Sequence, residues 1–357
     1  MSHAIARMIA TVSSVSLSLC FLSQPVRGSI RGAGLSRISK ESLVAADAIY
    51  AGRVRAIRGG GAGATTVGNT EIQGEWKAAE FVIDHVIKGP VAPAVTIEFF
   101  AADRLLRGVF LASIPMDKRC LLLLSRSGNQ YRLLDPSTPV LLLAPAPLAG
   151  LDEKATESER LQAELLAATG SEEDAVVAQA VKCVAALGLA DAQVITALKR
   201  LSEHEKPAIV GTALAARIQL GDATAVGPAQ GLVESGGCPE GQCRQIVAAL
   251  RTLTAPEYVE ELRKLLTSKS VVLRRSASYA LRESEAGDLL PILARALEDT
   301  DQEVQYNAIM GMARRASGDG ELAPAYSMFL EDPERHVENW RRWWDANRGG
   351  PDDADQQ

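Results

Sequence analysis

Small or apolar residues recur at i, i+3 and i+4 through the C-terminal half of the chain. The groups are Ala180/Cys183/Val184, Gly211/Leu214/Ala215, Ile246/Ala249/Leu250, Ala277/Ala280/Leu281 and Ala308/Gly311/Met312, and their first members are separated by 31, 35, 31 and 31 residues. An i, i+3, i+4 spacing is one face of a helix, and its return at a fixed step means stacked helical units that bury their faces against each other. A second pattern keeps the same step: Val259/Leu262/Leu266 match Leu290/Leu293/Leu297, again 31 apart. Two helices sharing one period predict helix pairs over 172–333. In the best-formed unit the helices are expected at 270–286 and 288–297, with Gly287 at the turn. Ala180, Gly211, Ile246, Ala277 and Ala308 are then core anchors that let successive first helices approach, while Leu250, Leu281 and Met312 fill the remaining space.

Residues 42–146 behave differently. Helical period is lost, and short apolar runs alternate with turn signals, which predicts strands at 48–57, 75–87, 95–100, 120–125 and 130–134, with a sixth at 140–143. Short helical alternatives fall at 43–47 and 101–108. Ala144-Pro-Ala-Pro-Leu-Ala-Gly150 reads as a linker, because alternating proline favours extended backbone and glycine ends a helix. A charged helix at 153–169, within a linking segment 147–171, is expected to cover the first repeat. The fold class is therefore multidomain α + β: a small N-terminal β-barrel followed by an α-helical solenoid. Trp340, Trp343 and Trp344 share one face of a helix expected over 334–348, where they close the last open repeat, since solenoid ends need a specialised cap.

The ends of the chain have their own character. The first forty residues carry Arg7, Arg27, Arg31, Arg37 and Lys40 but no acid, and 8–22 is an apolar stretch too short to span a bilayer. This predicts a secretory leader over 1–28, a flexible segment over 29–41, and no stable membrane span in the mature chain. Leu17-Ser18-Leu19-Cys20 resembles a bacterial lipoprotein box but has Leu19 where a small residue belongs. The acidic, Gly/Pro-bearing residues 349–357 are expected to be disordered.

Composition adds limits. Over 357 residues, 47% are hydrophobic and 23% charged, as in ordinary globular proteins, and the formal net charge of −6 with no basic patch argues against nucleic acid as a partner. Four histidines (His3, His85, His204 and His336) are too scattered for a metal cluster, and no Gly-x-Ser-x-Gly elbow accompanies them. Gly59-Gly60-Gly61-Ala62-Gly63-Ala64-Thr65-Thr66 lacks the Lys of a phosphate loop and is expected to be a mobile hairpin loop. Asp299-Thr-Asp-Gln-Glu303 lacks the ligands of a calcium loop, so Asp301 is expected to cap the next helix while Val304 enters the core. Cys238 and Cys243 coincide with the irregular 35-residue step and are a candidate disulfide across an inter-helix insertion, whereas Cys120 and Cys183 fit buried apolar positions. No metal or other cofactor is called for, and no catalytic residue emerges.

Two resemblances add expectations. The helix pairs resemble the HEAT-repeat family, and within it the bacterial phycobilin-lyase-type variant. The carrying residues are Leu273-Arg274-Arg275-Ser276-Ala277-Ser278-Tyr279-Ala280-Leu281, with Leu297-Glu-Asp-Thr-Asp301 through Val304 and Ala308. The β segment resembles the OB-like barrel of the tissue-inhibitor-of-metalloprotease and netrin-module group. That likeness rests on Ala46-Asp-Ala-Ile-Tyr-Ala-Gly-Arg-Val54, on Phe81-Val-Ile-Asp-His-Val-Ile-Lys-Gly89 and on the apolar strand from Cys120. Inhibitors of that group chelate zinc with an N-terminal Cys, and none precedes the domain in a chain cut after Gly28. Together the resemblances imply an exported bacterial protein, periplasmic or extracellular, that binds a protein partner without catalysis. Protease inhibition by the β domain and a lyase-type enzyme are the alternatives. Second helices of such arrays line the binding side, which makes Glu260, Glu261, Arg263, Lys264 and Arg295 the candidate partner surface.

Overall fold

The computed structural model describes residues 38–348, apart from 68, 103–110, 112, 129, 138–139, 149–153 and 318–321. The expected leader, the Cys20 box and the acidic tail lie outside the described residues. A short helix α1 (Lys40–Ala45), opened by a Ser39/Ser42 capping box, leads into six strands: β1 (Ala48–Val67), β2 (Thr70–Lys88), β3 (Ala94–Ala102), β4 (Arg119–Ser127), β5 (Gln130–Leu133) and β6 (Leu141–Leu142). Of the two short helical alternatives, the one at 43–47 overlaps α1. Of the other, Ala101 and Ala102 extend β3, and 103–108 lie outside the described residues.

The strands are ordered β1-β2-β3-β5-β4-β6, and β4 also pairs with β1, from Ala48↔Leu124 to Arg53↔Arg119. Every pairing is antiparallel except β3 with β5. Leu121, Leu122, Leu123 and Leu124 are all fully buried. A strand normally alternates apolar and polar residues, and a continuous apolar run means that both of its faces are covered. Here Leu122 and Leu124 join Tyr50 and Phe81 on one side, while Leu121 and Leu123 join Ile49 and Ala51 against the helices.

The run Gly59–Thr66 is not a loop. These residues belong to β1, paired with β2 through Gly59↔Lys77, Ala62↔Glu75, Gly63↔Gly74 and Thr66↔Glu71, with a register shift between Gly59 and Ala62. The reason lies across the ladder. A Cβ on Gly60 would sit 2.2 Å from the Trp76 carbonyl oxygen, and one on Gly63 would sit 2.9 Å from the Trp76 indole. Glycine thus admits a close approach to a bulky partner, a use of strand glycine that composition alone does not distinguish from a flexible loop.

Helix α2 (Glu157–Ala168), with a Thr156/Glu159 capping box, follows the sheet. Then come α3 (Asp174–Leu187), α4 (Ala192–Leu201), α5 (Pro207–Gln219), α6 (Val226–Glu234), α7 (Glu240–Leu250), α8 (Val259–Leu265), α9 (Val271–Glu283), α10 (Leu290–Ala296), α11 (Gln302–Ser317), α12 (Tyr326–Glu331) and α13 (Pro333–Asn347). The odd-numbered helices α3 to α11 stack in succession as first helices, and the even-numbered ones from α4 pack beside them as second helices. The anchors are at these contacts: Ala277, Ala280, Leu281, Ala308 and Met312 are fully buried, and a Cβ on Gly311 would be 2.9 Å from Leu293 and 3.2 Å from the Arg282 backbone. Between Leu253 and the start of α8 a turn of 3-10 helix (Pro256–Tyr258) replaces the regular connection.

The apolar interior is divided in an unexpected place. One core runs from β1, β2, β4 and β6 through Leu161 and Leu165 of α2 to Ile209, Ala213 and Ala216 of α5. A second begins with Leu214, Ala215 and Ile218 on the other face of α5 and continues to Trp340 of α13, with Trp343 and Trp344 half-buried against it. The Pro-rich stretch 144–148 therefore does not separate sheet from helices. Gln179 of α3 reinforces the join by bonding the β6 edge in both directions, accepting from the Leu142 amide at 3.0 Å and donating to the Val140 carbonyl at 3.1 Å.

Candidate functional site

Where sheet meets helices, a charge cluster is buried. Arg119 opens β4 with its side chain wholly inaccessible. Its Nε donates to both carboxylate oxygens of Asp84, at 3.0 and 2.9 Å, and its Nη2 to Asp84 Oδ1 at 2.7 Å. Nη1 and Nη2 also donate to the two oxygens of Glu164 on α2, each at 2.7 Å. His85, beside Asp84 on β2, places Nδ1 2.7 Å from Glu164 Oε1. A planar guanidinium offers five donors in a fixed fork, and here Nε, Nη1 and Nη2 are all turned to carboxylate oxygens.

The electrostatics follow from this pairing. Burial alone would lower the pKa of Arg119, but its bonds to Glu164 and Asp84 outweigh burial and raise it. Burial would raise the pKa of Glu164, while the bonds from His85 and Arg119 reverse that and hold it below the usual carboxylate value. Cys120, the next residue on β4, is pushed up to about 12 by burial, so it is a neutral thiol at physiological pH. The histidine has the orienting carboxylate of a catalytic pair, yet among the described residues no Ser or Cys hydrogen-bonds its ring. The arrangement ties β2 and β4 of the sheet to helix α2.

Other sites read from the sequence stand apart. Cys238 and Cys243 carry free thiols, so the candidate disulfide is not formed, and the insertion does not hold both: Cys238 precedes the Pro239 N-cap while Cys243 lies inside α7. These are the positions just before the cap and one turn inside the helix, whose side chains pack together as a staple, which is why the two sulfurs meet. Cys243 Sγ donates to the Cys238 carbonyl at 3.3 Å. Burial pushes the Cys238 thiol up to about 12, and the neighbouring thiol adds to it. Cys183 is buried with its thiol likewise raised to about 12. Among the described residues no group of three or more His, Cys, Asp or Glu side chains is gathered as a metal site. No described helix is long and apolar enough to cross a membrane.

The repeats are tied to one another by side chains. Arg274 and Arg275 of α9 make paired bonds to Asp299 and Asp301, at 2.7 and 3.1 Å and at 2.9 and 2.7 Å. Asp301 also accepts from the Val304 amide at 3.2 Å at the start of α11, and Val304 is buried. Asn307 of α11 reaches Ser278 at 3.1 Å, and Arg282 reaches Asn307 at 3.2 Å. These bonds fix neighbouring pairs, and with them the second helices.

On the outward side of those second helices, Glu260 and Glu261 form exposed ion pairs with Arg263 and Lys264 at 2.7 and 2.9 Å, while Arg295 is exposed on α10. Arg200 of α4, not singled out from the sequence, edges an open groove of ≈ 450 Å³ lined by Leu166 of α2, its C-cap Thr169, and Ala192, Thr196 and Ala197 of α4. Its signal lies in the register, because Arg200, Lys264 and Arg295 each stand just before the last buried residue of a second helix.

No family model matches the chain, and no curated protein matches it. Among solved structures, the designed armadillo repeat protein YIII(Dq)4CqI is similar at 19% identity over 44% of this chain and 83% of that one, with a TM-score of 0.31. An engineered protein is similar at 20% identity over 51% and 76%, with a TM-score of 0.23. Human deoxyhypusine hydroxylase in complex with glycerol is similar at 20% identity over 50% and 70%, with a TM-score of 0.21. Such low scores say nothing of activity or partner. The chain's own geometry establishes a multidomain α + β protein, an N-terminal sheet continued by an array of paired helices.

Proposed function

We propose that this protein is a non-catalytic binding module that offers the second-helix face of its array to a protein partner. The carrying observation is the set of inter-repeat bonds from Arg274, Arg275 and Asn307, which hold successive pairs in one arrangement before any partner arrives. A surface fixed in advance loses little conformational freedom on binding, and that is where an array without a reacting group gains affinity. Two finer readings accompany it. The helix pairs are HEAT-like, supported by Asp301 capping α11 while it pairs with Arg275 of the preceding repeat. The strand circuit β1-β2-β3-β5-β4 and back to β1, with β3 and β5 parallel, supports an OB-like barrel.

A photoreactive residue placed at Gln193 of α4 or Glu260 of α8 tests the face directly. In extracts of the source cells these positions are expected to give protein adducts, whereas the same residue at Arg244 of α7 or Val272 of α9 is not. Equal labelling from both sides, or none from α4 and α8, sinks the proposal.

A further inference from the structure

The second helices share a register that their buried residues define. In α4 the buried pair is Leu198/Leu201, in α8 Leu262/Leu265 and in α10 Leu293/Ala296, and in α6 the matching pair is buried Ala229 with half-buried Leu232. The residue just before the second member of each pair faces solvent. In order it is Arg200, Gly231, Lys264 and Arg295, at steps of 31, 33 and 31. Arg200 and Arg295 make no ion pair among the described residues, and Lys264 has only its exposed contact with Glu261. The column is thus basic at three rungs and bare at one. The bare rung is unusual: Gly227, Pro228 and Gly231 form the exposed side of α6, and a Cβ on either glycine would touch nothing within 4 Å. Glycine inside a helix costs roughly 1 kcal/mol relative to alanine, and no neighbour within the chain calls for it here.

We infer that this column takes an extended acidic peptide segment, whose carboxylates meet Arg200, Lys264 and Arg295 and whose backbone lies closest to the array over Gly227 and Gly231. The inference rests on the second-helix reading above and deepens it. Packed helices lie about 8–10 Å apart and an extended chain advances about 3.3 Å per residue, so one rung corresponds to about three residues. The ligand would place its first acid against Arg200, its next about six residues on against Lys264, and its last about three further against Arg295. The groove between α2 and α4 adjoins Arg200 and is lined largely by Leu166, Ala192 and Ala197. It suits one apolar side chain about three residues outside the first acid. A continuous polyanion fits less well, because Glu203, Glu234 and Glu298 are exposed three residues beyond Arg200, Gly231 and Arg295, and a line of acids beside the basic column repels closely spaced phosphates.

The test uses the full chain and synthetic labelled peptides of 14 residues, in both chain directions, with leucine at position 1 and glutamate at 4, 10 and 13, read by fluorescence anisotropy. Binding is expected in one direction, weakening as salt is raised from low to physiological strength. Changing all three glutamates to glutamine, or moving them to 5, 8 and 12, is expected to abolish it. Arg200→Gln, Lys264→Gln and Arg295→Gln are each expected to weaken binding roughly two- to five-fold, the range of an exposed ion pair, with Arg295→Lys restoring most of the loss. Gly231→Trp covers the bare rung and is expected to remove binding. Equal affinity for the glutamine peptide, indifference to the three substitutions, or equal or tighter binding of single-stranded DNA overturns the inference. If photo-adducts form at Gln193 and Glu260 while the acidic peptide fails, the inference falls and the binding-face proposal stands.

Discussion

Replacing Glu164 by alanine removes the group on which the junction of sheet and helices converges. Arg119 loses two of its five hydrogen bonds, both of 2.7 Å, and His85 loses its 2.7 Å partner. The guanidinium cannot turn to water, because its side chain and that of Glu164 are both inaccessible. Removing one member of a buried ion pair costs about 3–5 kcal/mol, and because Arg119 keeps its bonds to Asp84 the loss is expected at the lower end of that range. Substituting Arg119→Ala and Glu164→Ala together removes both buried charges and leaves Asp84, partly exposed, to be hydrated. The double variant is therefore expected to lose less than the sum of the single variants, with a coupling of about 2–3 kcal/mol. Urea unfolding followed by far-UV circular dichroism measures each corner of the cycle. A Glu164→Ala cost below about 1 kcal/mol, or additive single variants, refutes the reasoning. The sign of the pH dependence is fixed too. Glu164 has a folded pKa below its unfolded value of 4.5, so the unfolded chain takes up the proton first on acidification. Its contribution is complete above 4.5 and is lost as pH falls through the folded value. A Glu164→Gln variant is expected to show a shallower loss of stability over that acid range.

Three further outcomes are expected. Gly231→Ala, inside α6 with no atom within 4 Å of the added methyl, should stabilise the protein by about 0.5–1 kcal/mol in thermal or urea melts. Asp301→Ala removes both a helix cap and the carboxylate that receives Arg275, and should cost about 1–2 kcal/mol, since the pair is partly exposed. Alkylation mapped by mass spectrometry should modify the half-buried Cys238 and Cys243 in the folded protein well before Cys120 and Cys183, whose burial keeps the reagent away.

The helical array was legible because its signal is periodic and local. Small residues at Ala277, Ala280, Ala308 and Gly311 repeat at the spacing that close helix approach demands, and the structure buries them there. The strands were found near their centres and missed at their ends, since β1 continues through a glycine run whose meaning depends on Trp76 across the ladder. The charge cluster was invisible for a different reason. Asp84, Arg119 and Glu164 are 35 and 45 residues apart, and nothing local links them. A trace did exist in each element: Glu164 interrupts the buried stripe of Leu161, Leu165 and Ala168, and Asp84 interrupts an apolar strand. A charged residue at a core position, as Glu164 and Arg119 are, calls for a partner on another element, because it needs one once out of water. The cysteine pair was recognised, but its placement required knowing where α7 begins.

The passage of one core through the sheet into α5 means that the sheet closes the array at its N-terminal end, as α13 with Trp340 does at the other. Among the described residues, Leu322, Tyr326, Met328 and Leu330 stay exposed at and before α12, beside that C-terminal cap, so the apolar surface left open at this end lies next to the cap. Truncation after residue 150 would expose Ile49, Ala51, Leu121 and Leu123 on the sheet and the first apolar face of the helices together. A divisible boundary, if one is wanted for engineering, lies across the two faces of α5 and not at the proline-rich stretch.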